Sequence, residues 1–360
     1  MNTRGRRWLL VVCTVVMVAG CGQHGRSPAT GAPSTSLSPD SGVPTQGAKP
    51  PSAGLAPAAE PLQGPPPQAG LPGQMVAVGQ APEGVVVDAA TRTVAVATRD
   101  PTELVLLNAD TGAIVGRTAL PGTVRHLQLA GPGGPVLVPV ESANALLRVS
   151  LPQGVAATPI PTGISPHDAT AAADGTIFVS NETGGTEAVV RGNRLVKVFA
   201  DTAQPAGLAA VGTTVGMLDV RTNLLTLYDA QQLSVIGHTP AGAGPTHLVA
   251  DRHGRLIAAD TRGDTVRVFA VLPTLQQVGS VAAPGGPYGI AYDAARDRLW
   301  VACSGRNEVV GYDMTDPTPR EVARLPSVQN PYTLAVDAAT GRLFIAGVTA
   351  GVVQILDTAP

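Results

Sequence analysis

The chain has 360 residues, and its 24 Lys and Arg residues nearly balance 26 Asp and Glu residues, giving a formal net charge of −2. It has neither a basic run nor an aromatic stacking platform, so nucleic acid is not expected among its partners. Only 3% of the residues are aromatic, whereas there are 42 glycines and 33 prolines. This composition suits small, tightly stacked β-sheets.

The first twenty residues have the features of an export signal. Three arginines lie among the first seven residues, and the apolar stretch Trp8–Val18 is too short to span a bilayer as a stable helix. The sequence Val18-Ala19-Gly20-Cys21 then resembles a bacterial lipobox. We therefore expect a signal peptide over 1–20, lipid such as palmitate on Cys21, and an extracytoplasmic protein anchored to the cell membrane. The alternative is an ordinary signal peptide followed by a chance cysteine.

Residues 22–73 are dominated by Pro, Gly, Ala, Ser and Thr and contain no aromatic residue. Such a stretch buries too little apolar surface to offset its chain entropy, which predicts a disordered linker. Clusters such as Pro65-Pro66-Pro67 favour extended polyproline segments. The predicted role is a tether between membrane and folded domain, and the alternative is a proline-rich docking ligand.

The remainder of the chain repeats one pattern seven times. The copies begin at Pro82, Val124, Pro166, Pro205, Pro245, Pro287 and Pro331. These starts lie 42, 42, 39, 40, 42 and 44 residues apart. Each copy contains short apolar runs separated by turns rich in Gly, Asn and Asp, and a period near 40 with four strands is typical of a β-propeller blade. The sequence therefore predicts an all-β domain over 74–360, a seven-bladed β-propeller that is a monomer.

The last copy, Pro331–Asp357, provides only three strands before the chain ends at Pro360. An unassigned apolar strand, Gln74–Gly79, precedes the first copy and has the pattern of the fourth strands. We expect it to complete the last blade, because closing the ring removes open sheet edges.

The repeat resembles the blades of bacterial lipoproteins with a YVTN/NHL-like (YncE-like) propeller. Their pattern is represented here by Pro287-Tyr288-Gly289-Ile290-Ala291-Tyr292-Asp293, Leu299-Trp300-Val301-Ala302, Asn307 and Val309–Asp313. The resemblance implies the propeller fold and says little about function, because such propellers serve as binding platforms, scaffolds and occasional enzymes. The second copy departs from the pattern: Val124 replaces the leading proline and Pro139 interrupts its second strand, which predicts an irregular blade.

Polar residues concentrate at one predicted mouth of the central channel. In a propeller the first strand of each blade lines the channel, so residues one and two places after each start should ring one mouth. Three of the six histidines fall in this ring. The candidate binding residues are Glu83, Arg125, His126, His167, Asp168, His247, Tyr288 and Tyr332. Convergent polar groups at a cavity mouth predict a site for a small ligand or an envelope protein.

Three of these residues, His126, Asp168 and His247, share one repeat position. Imidazole and carboxylate groups are competent ligands for a divalent metal and can also act as acid and base. No cofactor is otherwise expected. The alternative is that these side chains bind only water and neighbouring backbone.

Several other polar residues are expected to be structural. Short Asn and Asp side chains stabilise turns and tolerate left-handed backbone, which accounts for one recurring set in the loops between second and third strands. That set is Asn144, Asn223, Asp264 and Asn307. A second set, Asp88, Asp251, Asp293 and Asp337, is predicted in turns on the opposite face. Cys303 is the single thiol of the domain and is expected to be a small buried hydrophobe.

The sequence contains no G-x-S-x-G, phosphate loop, H-E-x-x-H or C-x-x-C motif, which favours a binding module over an enzyme. The first alternative is a metal-dependent enzyme resembling streptogramin lyases, seven-bladed propellers with His and Glu residues and a divalent metal on one face. In that case His126, His167, His247 and Glu83 would be candidates for those roles. A structural scaffold of an envelope complex is the second alternative.

Overall fold

A computed structural model describes residues 54–67 and 69–358. The predicted signal peptide, the lipidation site at Cys21 and the linker up to residue 53 lie outside these residues. No helix in the described ranges is long and apolar enough to cross a membrane. The strands form seven four-stranded antiparallel sheets. Two single 3₁₀ turns, Glu141–Ala143 and Ser304–Arg306, each connect the second and third strands of one sheet.

Each sheet is one blade, and in every blade but the last its strands follow one another in chain order from the channel outwards. The first blade contains β2 (Val85–Asp88), β3 (Thr93–Arg99), β4 (Thr102–Asn108) and β5 (Ile114–Ala119). The second contains β6 (Gln128–Leu129), β7 (Val136–Val140), β8 (Ala145–Val149) and β9 (Ile160–Pro161). The third contains β10 (Pro166–Ala171), β11 (Ile177–Asn181), β12 (Thr186–Arg191) and β13 (Arg194–Phe199). The fourth and fifth contain β14 (Pro205–Val211), β15 (Thr214–Asp219), β16 (Leu224–Asp229) and β17 (Ser234–Pro240), then β18 (Pro245–Ala250), β19 (Arg255–Asp260), β20 (Thr265–Ala270) and β21 (Gln276–Ala282). The sixth contains β22 (Pro287–Asp293), β23 (Arg298–Cys303), β24 (Glu308–Asp313) and β25 (Arg320–Pro326), and the seventh contains β26 (Pro331–Val336), β27 (Leu343–Gly347), β28 (Val352–Leu356) and β1 (Gln74–Ala77).

The N-terminal strand closes the ring as predicted. β1 pairs antiparallel with β28, with Gln74 opposite Ile355 and Ala77 opposite Val352. The seventh blade is thereby completed from both ends of the domain, and the prediction of seven full blades is confirmed.

The hydrophobic core lies between blades. Among the described residues, buried apolar side chains form seven clusters, and each cluster joins two neighbouring blades. The cluster around Val94 and Phe344, for example, joins the first and last blades, and the one around Trp300 and Ile345 joins the sixth and seventh. Burying each such large side chain stabilises the fold by about 1.5–3 kcal/mol.

The sequence pattern explains which strands are interior. Second strands such as β19 are buried along their whole length, because both of their faces pack against adjacent blades. Fourth strands such as β17 and β25 alternate between more and less exposed residues, because one face meets solvent. Cys303 is fully buried at the end of β23, in agreement with the prediction that it is a small core residue.

The second blade is irregular, although not where the sequence suggested. β7 runs through Pro139, which pairs with Leu146, so Pro139 does not interrupt this strand. The irregularity lies instead in the innermost and outermost strands, β6 and β9, which have two residues each.

The predicted turn residues have the expected geometry. Asn144, Asn223, Asp264 and Asn307 all adopt left-handed backbone, with φ between 50° and 57°. On the opposite face, the carboxylates of the predicted aspartates accept backbone hydrogen bonds within their turns, as Asp293 does from Ala295 and Arg296.

Residues 54–67, here called the strap, differ from the sequence expectation. The strap lies against the propeller instead of forming disordered linker: Gly64 N donates to Asn330 Oδ1 (2.8 Å), and Asn307 Nδ2 donates to the carbonyl of Pro65 (2.7 Å). These two partners lie more than 200 positions away along the chain. Composition alone could not reveal them, because the order comes from docking.

Candidate functional site: the channel and its mouth

The seven innermost strands surround a central cavity of about 360 Å³. Its wall is mostly aliphatic, with residues such as Val87, Leu248 and Ile290, and its polar side chains include Gln128, Thr170 and Asp168. This combination of an apolar wall and few polar groups is typical of small-molecule sites.

The residues predicted at the mouth form two layers. Those two places after a blade start, including His126, Asp168 and His247, line the channel itself. Those one place after a start lie above them and line two small cavities at the rim; they are Glu83, Arg125, His167, Ala206, Thr246, Tyr288 and Tyr332. His126 and His247 border both the channel and a rim cavity, so they lie at the boundary between the layers.

Five rings are in contact at this boundary. The ring centroids of His126 lie 4.5 Å from His167 and 4.6 Å from His247, and Tyr288 packs edge-on against His247 at 4.4 Å. Tyr332 continues the series, 5.9 Å from Tyr288. His126 and His247 belong to the second and fifth blades, which are not neighbours, so their contact crosses the channel and narrows it.

His247 is buried, yet neither of its ring nitrogens has a hydrogen-bond partner among the described residues. Burial, together with the nearby charges of His167 and Arg125, lowers the pKa of His247 to about 3. Burial likewise lowers the pKa of His126 well below its usual value. Both rings are therefore neutral at physiological pH, and each offers one donor and one acceptor. Burying a polar group without a hydrogen-bond partner costs free energy, so His247 is a candidate for hydrogen bonding to a ligand.

Asp168 lies deeper than the predicted mouth position. Its carboxylate accepts hydrogen bonds from the Leu208 backbone N (2.9 Å) and from Gln128 Nε2 (3.0 Å) in the channel wall. Burial outweighs these bonds and raises the pKa of Asp168 to about 6. The predicted metal set of His126, Asp168 and His247 is not among the groups whose ligand atoms converge within 4.8 Å of one another in the described chain.

A different group does converge at the mouth. His167 Nδ1 lies 3.0 Å from Glu141 Oε1 and 3.1 Å from Glu182 Oε2. Burial opposes the charge on His167, but the two carboxylates outweigh it and raise its pKa to about 9. Burial also opposes the charge on Glu182, but the hydrogen bond from His167 lowers its pKa to about 2. The three residues therefore form a charged cluster in which one imidazolium serves two carboxylates.

Neither glutamate is among the candidate binding residues predicted from the sequence. Glu141 begins the 3₁₀ turn of the second blade, which the left-handed Asn144 ends. Glu182 directly follows β11, and Gln204 Nε2 holds its second oxygen at 2.9 Å. The available signal was their position: both lie between the second and third strands of neighbouring blades.

Two carboxylates and an imidazole within 4.8 Å of one another are a suitable donor set for a divalent cation. In this arrangement, however, the shared Nδ1 acts as the hydrogen-bond donor, so the histidine would have to release its proton before that nitrogen could bind a metal. The residues present thus fit a cation, and more easily at higher pH.

The rim on the other side of the mouth carries a second charged group. Glu83 pairs with Arg99 (2.7 Å) and lies 3.5 Å from Arg125. Arg125 also lies 3.5 Å from Glu60 of the strap. Tyr332 Oη accepts a hydrogen bond from the side chain of Gln63, another strap residue. The predicted mouth residues therefore contact a segment that sequence analysis placed outside the domain.

The strap covers the mouth. A cavity of about 20 Å³ lies beneath it and is enclosed by Ala58, Ala59, Glu60, Arg125, His126, His167, Glu182, Ala206, Val220, Thr246, His247 and Tyr288. Ala59 is the strap's most deeply buried residue, with 9% of its surface exposed. A ligand entering from this side must share the mouth with the strap or displace it.

No protein-family model and no curated protein matches the chain. Solved structures do: a streptogramin B lyase is 14% identical over 79% of this chain and 98% of its own, with a TM-score of 0.66. Virginiamycin B lyase from Staphylococcus aureus is 15% identical over 79% and 99% of the two chains, with a TM-score of 0.64. A chain of a mitotic checkpoint complex is 12% identical over 85% and 97%, with a TM-score of 0.68. At these identities the likeness establishes the fold alone: the chain is a seven-bladed β-propeller.

Proposed function

We propose that this protein is a lipoprotein of the YVTN/NHL-like type, held on the extracytoplasmic side of the cell membrane through Cys21, whose propeller binds a ligand at the channel mouth. The observation that carries the binding role is His247, a buried imidazole at the junction of channel and rim whose two nitrogens lack partners in the part of the chain that the structure describes. The ligand is a polar small molecule or a segment of an envelope protein that supplies those partners.

The shape and charge of the site support this role. Neutral His126 and His247 can each donate one hydrogen bond and accept another, while Tyr288 and Tyr332 provide ring surfaces beside them. Below this layer the cavity of about 360 Å³ has room for a small ligand or for a side chain of a larger one.

Ligand binding can be tested with a matched variant, His126→Phe/His247→Phe, which keeps the rings and removes the four nitrogens. Wild type and variant would be screened by thermal shift against amino acids, monosaccharides, dicarboxylates and short peptides. A ligand that binds only the folded state raises the melting temperature by mass action. We expect saturable shifts in wild type that the variant loses, and equal shifts in both proteins would contradict the proposed site.

The anchor requires its own test. Replacing Cys21→Ser removes the thiol that would carry lipid, so the protein should move from the membrane fraction to the soluble extracytoplasmic fraction, and labelled palmitate should no longer be incorporated. Retention of both membrane association and label in this variant would contradict lipidation at Cys21. Neither result affects the binding test.

A metal-dependent enzyme is the second candidate, favoured by the cluster of Glu141, His167 and Glu182. Some proteins that share the fold are streptogramin lyases, which sets the kind of activity to assay. When bound, a divalent cation would supply charge for polarising a substrate oxygen, and these three residues would hold it.

Metal binding can be tested by thermal shift with Mg²⁺, Mn²⁺, Ca²⁺ and Zn²⁺, using Glu141→Gln/Glu182→Gln as the control. The enzyme hypothesis predicts saturable stabilisation by one of these ions that grows with pH, because His167 must lose a proton, and that disappears in the variant. No shift for any of the ions would exclude the metal-dependent reading. A scaffold, the third class, would keep its partners after all these substitutions and lose them when loop surfaces change.

A further inference from the structure

Four hydrogen bonds hold the strap through its main chain, in addition to the bonds that the Gln63 side chain makes with Asn330 and Tyr332. Arg262 Nη2 donates to the carbonyl of Pro57 (2.6 Å), Gln329 Nε2 to that of Gly64 (3.0 Å), and Asn307 Nδ2 to that of Pro65 (2.7 Å). Gly64 N in turn donates to Asn330 Oδ1 (2.8 Å). Because every extended peptide carries the same groups, side chains that bind main-chain atoms in this way can accept other sequences.

Glycines of the propeller make room for the strap's side chains. A Cβ on Gly244 would lie 2.8 Å from Cβ of Ala59, and a Cβ on Gly286 would lie 2.7 Å from Cγ of Leu62. A Cβ on Gly305 would lie 3.0 Å from Cβ of Leu62. These distances are at or below the shortest normal contacts, so the surface has shallow recesses at the places where an extended chain passes.

Although the strap makes several hydrogen bonds, its side chains contribute little to holding it on the propeller. Leu62 remains 48% exposed, and the side chain of Glu60 is 65% exposed at 3.5 Å from Arg125. An ion pair as open as this contributes little. The bound segment therefore buries little apolar surface, and a competing peptide with better side chains could replace it.

We propose that the channel mouth is a binding site for extended, proline-containing peptides with an acidic residue for Arg125, and that residues 57–65 are its built-in occupant. The inference rests on the proposed function and names the ligand class for the same site. The partner is a segment of another envelope protein with the strap's chemistry: a main chain kept extended by prolines, a carboxylate, a small apolar side chain directly before it, and a larger apolar side chain two positions after it.

Competition between the two occupants follows from their connection. A few residues separate the strap from β1, so its local concentration at the mouth is of the order of millimolar. If the strap's own intrinsic Kd for the mouth is about 10 µM, its occupancy weakens the apparent affinity of an external peptide about 100-fold. Loosening the strap should therefore strengthen external binding by a similar factor, although nothing changes in the groove.

The test uses the full chain carrying Gly64→Ala, because a Cβ at this position would collide with Asn307 Oδ1 and lie 2.7 Å from the carbonyl oxygen of Ser304, which displaces the strap and leaves the propeller intact. The probe is a fluorescent peptide with the wild-type sequence of residues 55–67, measured by anisotropy. We expect binding to the loosened chain at least tenfold tighter than to wild type. A further substitution, Asn330→Ala, should remove this gain, whereas Arg320→Ala on the outer strand of the sixth blade should not.

Hydrogen exchange provides a second measurement. The amide at position 64, which donates to Asn330 in wild type, should be protected there and should exchange rapidly in the loosened chain. If that amide becomes unprotected and the loosened chain still does not bind the peptide, the inference is overturned, while the response of the His126→Phe/His247→Phe variant to small ligands remains a separate test of the proposed function. Peptide binding that survives Asn330→Ala also overturns it, because the peptide would then bind elsewhere.

Discussion

The two faces of the propeller use polar residues in opposite ways. On the face opposite the mouth, carboxylates in the turns between first and second strands are buried and fully engaged. Asp337, for example, accepts bonds from Ala339 N (3.1 Å), Thr340 Oγ1 (2.6 Å) and Arg92 (2.9 Å), and Arg92 belongs to the first blade. At the mouth, by contrast, His247 is equally enclosed and has no hydrogen-bond partner in the described chain.

Several arginines extend this pattern across blade boundaries on the engaged face. Arg252 of the fifth blade reaches Asp297 of the sixth (3.0 Å), and Arg342 of the seventh donates to the carbonyl of Ala109 in the first (2.9 Å). Such contacts join neighbouring blades beyond their apolar cores. The difference teaches that polar residues paired across blade boundaries hold the ring together, whereas His247, which lies at the channel and lacks a partner in the described chain, indicates where a ligand would bind.

The largest effect on stability is expected for a substitution on the face opposite the mouth, where the turn carboxylates are buried and hydrogen-bonded. Replacing Asp337→Ala removes a fully buried carboxylate, leaves the Thr340 hydroxyl without its acceptor, and removes one polar link, to Arg92, between the first and last blades. We expect a loss of about 3 kcal/mol in the free energy of unfolding, measured by urea denaturation. The matched control is Asp110→Ala, because Asp110 pairs with the same Arg92 at 2.6 Å but is exposed, and it should cause no measurable loss. Equal losses in both variants would contradict the assignment of stability to the buried turn.

His167 lies at the mouth but resembles the buried aspartates of the opposite face, because Glu141 and Glu182 both pair with its Nδ1. A histidine with a raised pKa contributes stability that is fully present below its unfolded value of about 6.5 and is lost as pH rises through about 9. Wild type should therefore lose up to about 3 kcal/mol between pH 6.5 and 9.5 that His167→Gln does not lose. Parallel curves for the two proteins over this range would show that His167 is not held as an imidazolium.

The fold could be predicted from the sequence because it is repetitive. Each blade depends on local apolar runs and turn residues, so the seven starts and the closing strand Gln74–Gly79 could be recognised without long-range information. The mouth was only partly predictable. The ring positions identified His126, His167 and His247, but the contact between His126 and His247 and the partners of His167 depend on how separate blades meet.

The strap shows the limit of composition as a guide. Its proline- and glycine-rich sequence has the signature of disorder, and by itself it has no core to fold around. Its order comes from side chains such as Asn307 and Asn330, which belong to the last two blades. No local pattern connects residues so far apart, and neither glutamate of the His167 cluster had a motif that distinguished it from ordinary turn residues.

Asp168 in the channel is an intermediate case between the two faces. Its carboxylate accepts hydrogen bonds, yet its burial disfavours the charged form. For a carboxyl whose pKa is raised from 3.8 to about 6, the native state holds the proton more tightly, so stability falls as pH rises through this range. Asp168→Asn removes the ionisation but places an amide NH₂ opposite an N–H donor, so its stability is best compared with wild type as a change with pH. Between pH 4 and pH 8, wild type should lose about 2–3 kcal/mol that the variant does not lose. Thermal denaturation at the two pH values measures it, and an equal effect at both would exclude ionisation as the cause.

The smallest effect on stability, and the clearest test of the comparison, is expected for His247→Phe. The substitution keeps a ring against Tyr288 and His126 and removes two buried nitrogens that have no partner among residues 54–67 and 69–358, so the free energy of unfolding at pH 7 should change by less than about 1 kcal/mol. Because the lowered pKa of His247 costs stability as pH falls from 6.5 towards 3, the variant should also resist acid better than wild type. A large loss of stability at pH 7 would mean that His247 has a structural partner and that the two faces are not so different. Unchanged stability together with loss of ligand binding would show that the two ring nitrogens of His247 serve binding and not folding.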